Sequence, residues 1–198
     1  MKYLRLWTLQ HKNVWYLLQK HGVLFTDENL LNYRSGWTDT HDWMREQMKS
    51  RIPSYPDVFP WWAWYYPKPD LRYWRHQMGE GSECFVRIEM LIPAEQVLLS
   101  ASSPWSMVIN RDFIAYTRDE QELWNVEMDR LEAQGIDQWW PLPEPHSTLV
   151  RRSWKRIFDI AGMRESDNWG GDVVHIQATF PVLKMEYVTK VTPFIGRE

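Results

Sequence analysis

Residues 84–92, CFVRIEMLI, set Arg87 and Glu89 between apolar neighbours and end at Pro93. Alternation of this kind gives a strand two unlike faces, and a proline at its end withholds the next backbone donor. Such a strand needs partners, so the flanking sequence is read for them. Residues 3–9, YLRLWTL, put Leu4, Leu6 and Thr8 on one face and Arg5 on the other, which predicts a first strand. Residues 173–194, VVHIQATFPVLKMEYVTKVTPF, read as two more strands around Pro181. Residues 96–110, QVLLSASSPWSMVIN, give a short apolar strand, a turn and a second apolar segment.

Helical patterns lie between these strands. Residues 11–22, HKNVWYLLQKHG, carry a stripe of Val14, Leu17, Leu18 and His21, with Gly22 placed as a C-terminal cap. Residues 38–53 predict a second helix with Thr40 as N-cap, Trp43, Gln47 and Met48 on one side, and Pro53 as the stop. Residues 119–135 are a polar helix ending at Gly135, and 137–146, DQWWPLPEPH, a proline-rich connection. Ser147 is then read as the cap of one helix, TLVRRSWKRIFDIAG, with a stripe of Val150, Trp154, Ile157, Phe158 and Ala161. The expected fold is α+β: a single domain over 1–198 with a mixed, mostly antiparallel β core flanked by helices, and about 115–146 as a candidate insertion.

Composition narrows the function. The 198 residues are 44% hydrophobic and 25% charged, enough apolar surface for a globular core. A formal net charge of −3 supplies no global attraction to nucleic acid or anionic lipid. One cysteine, Cys84, excludes an intrachain disulfide and fits a reducing compartment. Arg5, Thr8 and Gln10 interrupt any signal-peptide core, and no run approaches the roughly 20 apolar residues of a membrane span. A soluble, cytoplasmic protein without a membrane partner is expected.

Motifs exclude more than they name. The sequence has no GxxxxGK[ST] loop, no HExxH and no CxxC pair, and Gly79 with Gly81 make only a GxG. Pro69–Asp70 opens a metal-dependent nuclease pattern, but Arg87 and Glu89 on the next strand stand in the wrong arrangement to complete it. The six histidines are scattered, so no metal is expected.

The chain also carries fourteen tryptophans, and residues 61–72, WWAWYYPKPDLR, hold five aromatics in six positions. On a strand, Trp62 and Trp64 are expected to fill the core, with Trp61, Ala63 and Tyr65 on the opposite side. Asp70 is read as the anchor of a turn, with Arg72 opening the next segment.

Four blocks resemble an uncharacterised bacterial and phage-associated group, domain of unknown function family 3841. They are LWTLQ at 6–10; WMREQM, RIP and WAWYYPKPDLR within 43–72; VLLSASSPWSMVIN at 97–110; and SWKRIFDI with IQATFPVLKMEYVTKVTPF within 153–194. The layout of a polar first strand, a helix ending KHGVL, mixed strands and a late strand before a proline is also similar to small ADP-ribosyltransferases that modify nucleic acid. That resemblance implies an ADP-ribosyltransferase-like fold binding NAD, with Thr8 and Gln10 toward the nicotinamide and Gln177 at the position of the catalytic glutamate.

Glutamine can donate and accept hydrogen bonds but cannot act as a base. The resemblance therefore implies that Glu186, Asp172 or Glu89 supplies the carboxylate, that positioning alone suffices, or that the fold is a noncatalytic ligand- or partner-binding module. Trp7, Trp43, Trp61, Tyr65 and Trp105 would wall the flat rings, and Arg51 and Arg72 would hold a pyrophosphate. Core packing is the commoner role of any one such aromatic. Asn110 is a candidate for a ligand amide. Arg151, Arg152, Lys155 and Arg156 would meet RNA or DNA phosphates, although a solvated charged face is the commoner reading. As an effector of bacterial conflict or phage defence, such a toxin would be held by an antitoxin or another regulatory protein.

Overall fold

The computed structural model describes residues 2–26, 38–78, 83–136, 141–170 and 175–196. Its strands are β1 (Tyr3–His11), β2 (Val23–Leu24), β3 (Trp61–Tyr66), β4 (Cys84–Pro93), β5 (Leu98–Ala101), β6 (Ile176–Phe180), β7 (Leu183–Lys184) and β8 (Val188–Ile195). The helices are α1 (Lys12–His21), α2 (Thr38–Arg51), α3 (Leu71–Gln77), α4 (Trp105–Asn110), α5 (Arg118–Ala133), α6 (His146–Trp154) and α7 (Ile160–Glu165). Six strands form one sheet in the order β5-β6-β3-β1-β4-β8, and β2 pairs with β7. The fold is α+β, with the sheet mostly antiparallel and flanked by helices.

The alternating stretch at 84–92 is part of β4, a long interior strand of ten residues next to the edge strand β8. β4 pairs antiparallel with β1 from Tyr3↔Pro93 to His11↔Phe85 and with β8 from Cys84↔Ile195 to Met90↔Val188. Its even-numbered residues Val86, Ile88, Met90 and Ile92 join Leu6, Leu18, Ala63, Ala178 and Phe180 in the core. Side chains excluded from water to this degree stabilise by about 1.5–3 kcal/mol each. The odd-numbered Arg87 and Glu89 face the other way.

β1 runs straight into α1, because His11 caps the helix by accepting from the Asn13 amide through Nδ1. Gly22 ends it at φ 73°, a left-handed conformation that glycine adopts without strain. The buried face of α1 is Leu18 with Val14 and Trp15 packed beside it, whereas Leu17 and His21 are exposed. The expected stripe was therefore rotated by part of a turn. Similarly, α2 begins at Thr38, two residues before the expected cap, so Thr40 lies inside the helix and is wholly buried.

The parity of β3 is the reverse of the expectation. Trp7 on β1 is in register with Trp64, and Trp7 shares its face with Glu89 rather than with Leu6. Ala63 is buried in the core with Trp61 and Tyr65 packed against it, so Trp62 and Trp64 project to the second face. There Trp62 meets the His41 ring of α2 edge-on at 6.1 Å, and Trp64 meets Trp74 of α3 at 5.8 Å.

The chain divides into two compact units, Met1–Leu99 with Gln177–Glu198, and Ser100–Ile176. The segment considered as an insertion falls within the second unit, which is helical. In that unit the helix expected over 148–162 is broken into α6, a 3-10 turn (Lys155–Phe158) and α7. Asp159 causes the restart by accepting from the Gly162 amide at 3.0 Å. Ala161 is consequently exposed, while Val150, Trp154, Ile157 and Met163 are fully buried. Ser147 does not cap α6; its hydroxyl donates to Glu144, which also accepts from the Thr148 amide. Part of the proline-rich connection, Asp137 to Trp140, and the GxG glycines Gly79 and Gly81 lie outside the described residues.

Candidate functional site

Thr8 is the pivot of the site. Its hydroxyl donates to the Trp62 carbonyl at 2.9 Å and accepts from Gln10 Nε2 at 2.7 Å. The strand period places Thr8 and Gln10 on one face, two residues apart, so the threonine fixes where the glutamine carboxamide lies. Both line a cavity of about 250 Å³ in the first unit. Gln177 of β6 enters the same cavity, although it comes from the far end of the chain. The remaining lining is Leu9, Trp62, Ala63 and Trp64 from the two neighbouring strands, with Trp74 and Met78 from α3 and its C-terminal end.

Among the described residues the lining includes three tryptophans, two glutamines and one threonine, and none of them is charged. Gln177 and Thr8 are 7% and 1% exposed, so their polar atoms act in a largely dry setting where each hydrogen bond discriminates strongly. The arrangement brings indole surface and carboxamide groups to one cavity, which can take one face of a flat ring and an amide edge. Among its described residues it holds no carboxylate, imidazole, amine or thiol.

Other candidates lie elsewhere. Trp7 donates its indole N–H to Glu89 Oε2 at 3.0 Å on the second face, where Arg5 and Lys68 also meet that carboxylate. Burial raises the Glu89 carboxyl, and the Trp7 bond with Lys68, Arg5 and Lys190 outweighs it, holding it below the usual carboxylate range. Trp61 donates to the Leu24 carbonyl and, with Tyr65, packs on the core. Trp43 is buried in α2, and Arg51 at the end of that helix donates to Gln47. Glu186 sits exposed on the 3-10 turn Met185–Tyr187 and pairs with Lys184 at 3.2 Å.

The PDLR segment is a helix start. Asp70 caps α3 by accepting from the Arg72 amide and binds the Arg72 guanidinium at 3.0 Å. The Arg72 side chain is 91% exposed and does not line the cavity, whereas Trp74, two residues on, does. Trp105 and Asn110 belong to α4 of the second unit, the first buried and the second exposed. Asp172 lies outside the described residues.

Arg151, Arg152 and Lys155 are exposed, but Arg156 is not part of their face. It is clamped by Glu120 and covered by the rings of Phe113 and Tyr116 at 5.3 and 4.6 Å.

Trp62, Trp64, Trp74, Leu9 and Met78 were not foreseen as site residues. For the two β3 tryptophans the signal was present in the strand period, and only its parity was assigned to the wrong face.

Residues 5–189 match the model of a family described as Domain of unknown function (DUF3841). No curated protein and no solved structure matches the chain. Among the described residues no helix is long and apolar enough to cross a membrane.

Proposed function

The chain belongs to the DUF3841 family, and on that premise we propose that it is a ligand-binding module taking one flat, uncharged, amide-bearing heteroaromatic ring of the nicotinamide or nucleobase type. The observation that carries this reading is the composition of a single cavity, whose lining includes Trp62, Trp64, Trp74, Gln10 and Gln177. Indole faces contribute about 1–3 kcal/mol per stacked base in other ring-binding sites. The carboxamides offer both donors and acceptors, which matches a primary amide or a base edge. A volume of about 250 Å³ lies below the roughly 300–1,000 Å³ of drug-sized sites, so it suits one ring system rather than a whole dinucleotide.

A second reading keeps the same cavity as the nicotinamide end of an NAD site in an ADP-ribosyltransferase-like fold. The convergence of Thr8, Gln10 and Gln177 favours it, because the resemblance to those enzymes implied these three positions together. NAD would then be a substrate, RNA or DNA its acceptor through Arg151, Arg152 and Lys155, and the protein a cytoplasmic toxin controlled by a partner protein. The uncharged lining counts against transfer, since neither Glu186 nor Glu89 reaches the cavity wall.

Titrating the intact chain with nicotinamide, adenine and NAD while following tryptophan fluorescence tests the binding reading. Saturable quenching that Trp62→Ala and Gln177→Ala weaken supports it. Quenching by none of the three ligands rejects it. Release of nicotinamide from NAD, or transfer of labelled ADP-ribose to added RNA, DNA or protein, would move the conclusion to the second reading.

A further inference from the structure

Tyr3, Arg5 and Trp7 share one face of β1 by strand period, the face opposite the buried Leu6 and Thr8. Side-chain contacts fix where that face points. Trp7 donates to Glu89 Oε2, and Arg5 meets Oε1 of the same carboxylate at 3.3 Å. Lys68 meets Glu89 Oε2 at 3.7 Å, and its ammonium stands 5.8 Å from the centre of the Trp7 ring. Lys190 of β8 is in register with Glu89, which puts it on the same face. On the other side of β1, Trp64 is in register with Trp7, so Tyr66, two residues along β3, also belongs here.

The outer residues of this face are open to solvent. Tyr3 and Tyr66 are 53% and 49% exposed, and Arg5, Lys68 and Lys190 are exposed too, whereas the Glu89 side chain is 13% exposed. Three cations against one carboxylate leave the group positive. Ion pairs with one partner this exposed contribute about 0–1 kcal/mol to folding, and tyrosines half in water gain little from burial, so stability does not account for the arrangement. Glu89 holds Arg5 by one oxygen and Lys68 by the other, which tethers both cations beside Trp7.

We infer that this outer face of β3, β1, β4 and β8 binds single-stranded nucleic acid. Arg5, Lys68 and Lys190 take backbone phosphates, and Tyr3 and Tyr66 each present a ring to an unstacked base, the combination by which such strands are held. From Tyr3 to Trp7 the strand advances about 14 Å, room for a few nucleotides. A duplex keeps its bases stacked on one another, and an acidic protein surface would use the cations but leave the tyrosines idle. The face shares no residue with the exposed Arg151, Arg152 and Lys155 of the second unit, and the inference stands whether or not the ring cavity takes a ligand.

Fluorescence anisotropy of a labelled oligodeoxythymidine, titrated with the intact chain at several salt concentrations, tests it. Saturable binding is expected, with log K falling against log salt concentration at a slope of about −2, three phosphates at about 0.7 each. An oligomer of the same backbone without bases, and a duplex of the same length, should each bind about tenfold more weakly or worse, having no free base to stack. Tyr3→Leu with Tyr66→Leu should bring the normal strand down to the level of the abasic one and leave the slope unchanged. Arg5→Gln with Lys68→Gln should cut the slope to about −0.7. All four positions are exposed, where substitution moves stability little, and urea unfolding checks that each variant folds. The comparison of normal and abasic strands on the parent chain stands even if a variant does not. Absence of saturable binding, equal affinity for normal and abasic strands, an unchanged slope in the folded Arg5/Lys68 variant, or loss confined to Arg151→Ala with Arg152→Ala would overturn the inference.

Discussion

Arg156 and Glu120 meet through two hydrogen bonds, Nη1 to Oε2 at 2.8 Å and Nη2 to Oε1 at 2.6 Å. The same guanidinium donates to the Ile114 carbonyl, so α5, the 3-10 turn after α6 and the chain before Tyr116 are joined at one point. Burial raises the Glu120 carboxyl, but the Arg156 bond and the Tyr116 amide outweigh it, so its folded value lies below the unfolded one near 4.5. A depressed carboxyl contributes stability that is present above the unfolded value and lost as pH falls through the folded one. Glu120→Gln is therefore expected to lower the melting temperature by about 2–4 °C at pH 7, with the gap closing below pH about 4. Calorimetry at pH 7 and pH 3 checks this, and a gap of equal size at both values contradicts it.

Arg156 and its neighbours on α6 are expected to separate by assay. Arg156→Ala leaves Glu120 without its main partner and should destabilise the second unit. Exposed Arg151 and Arg152 can be changed together to alanine with a stability change within about 0.5 kcal/mol. If an RNA or DNA strand is met by this protein, the double substitution should weaken binding and reduce the slope of log K against log salt concentration by about 0.7–0.9 per lost phosphate contact. Denaturant titration and binding at two salt concentrations provide the two readouts.

Arg72 and Trp74 should diverge just as clearly in ring binding. The Arg72 side chain points away into solvent on its own cap, while Trp74 is part of the cavity wall. Arg72→Ala is expected to leave nicotinamide-type affinity within twofold, and Trp74→Ala to lower it by about tenfold or more, the loss of one stacked ring. Comparable loss in both variants would show that the ligand lies over the PDLR segment instead.

What could be read in advance follows from how much each residue type constrains. The alternation around Ile88 and the glycine at position 22 leave few options, and β4 and the end of α1 follow from them. WWAWYY is different, because every residue in it can face a core, so parity is undetermined until Trp7 aligns with Trp64. The break after Trp154 was hidden because the apolar spacing continues through Ile157 and Phe158, while the Asp159 side chain decides the restart. Thr8, Gln10 and Gln177 line one cavity although they come from opposite ends of the chain. Trp74 and Met78 escaped notice because the short helix they extend was read only as a turn and a following segment.

The buried face of β4 gives a direct stability test. Ile88 is fully buried between β1 and β8, in register with Thr8 and Val191. Ile88→Ala should cost about 2–5 kcal/mol by leaving a cavity that paired strands cannot close. Arg87→Ala, whose guanidinium donates to the Pro69 carbonyl at 2.8 Å, should cost less and act on the loop before α3. Urea unfolding of both variants ranks them, and the reverse order would refute this account of the core.

Gln177→Glu asks the sharpest question of the site. The exchange preserves shape but puts an ionisable group at a position 7% exposed, in a wall whose described residues include no cation. Burial without a positive partner raises a carboxyl above its ordinary value of about 4.3, so the introduced group is neutral at mildly acidic pH and charged above it. When neutral it has a donor and an acceptor, as the carboxamide does; when ionised it accepts only and carries a charge that the indoles do not compensate. Ring binding by the variant should approach that of the parent near pH 5 and fall away toward pH 8, while the parent changes little over the same interval. The same samples, given NAD and assayed for free nicotinamide, test whether a carboxylate at this position suffices for bond cleavage. Binding in the variant that is independent of pH would mean that residue 177 does not touch the ring, and the cavity assignment would fall with it.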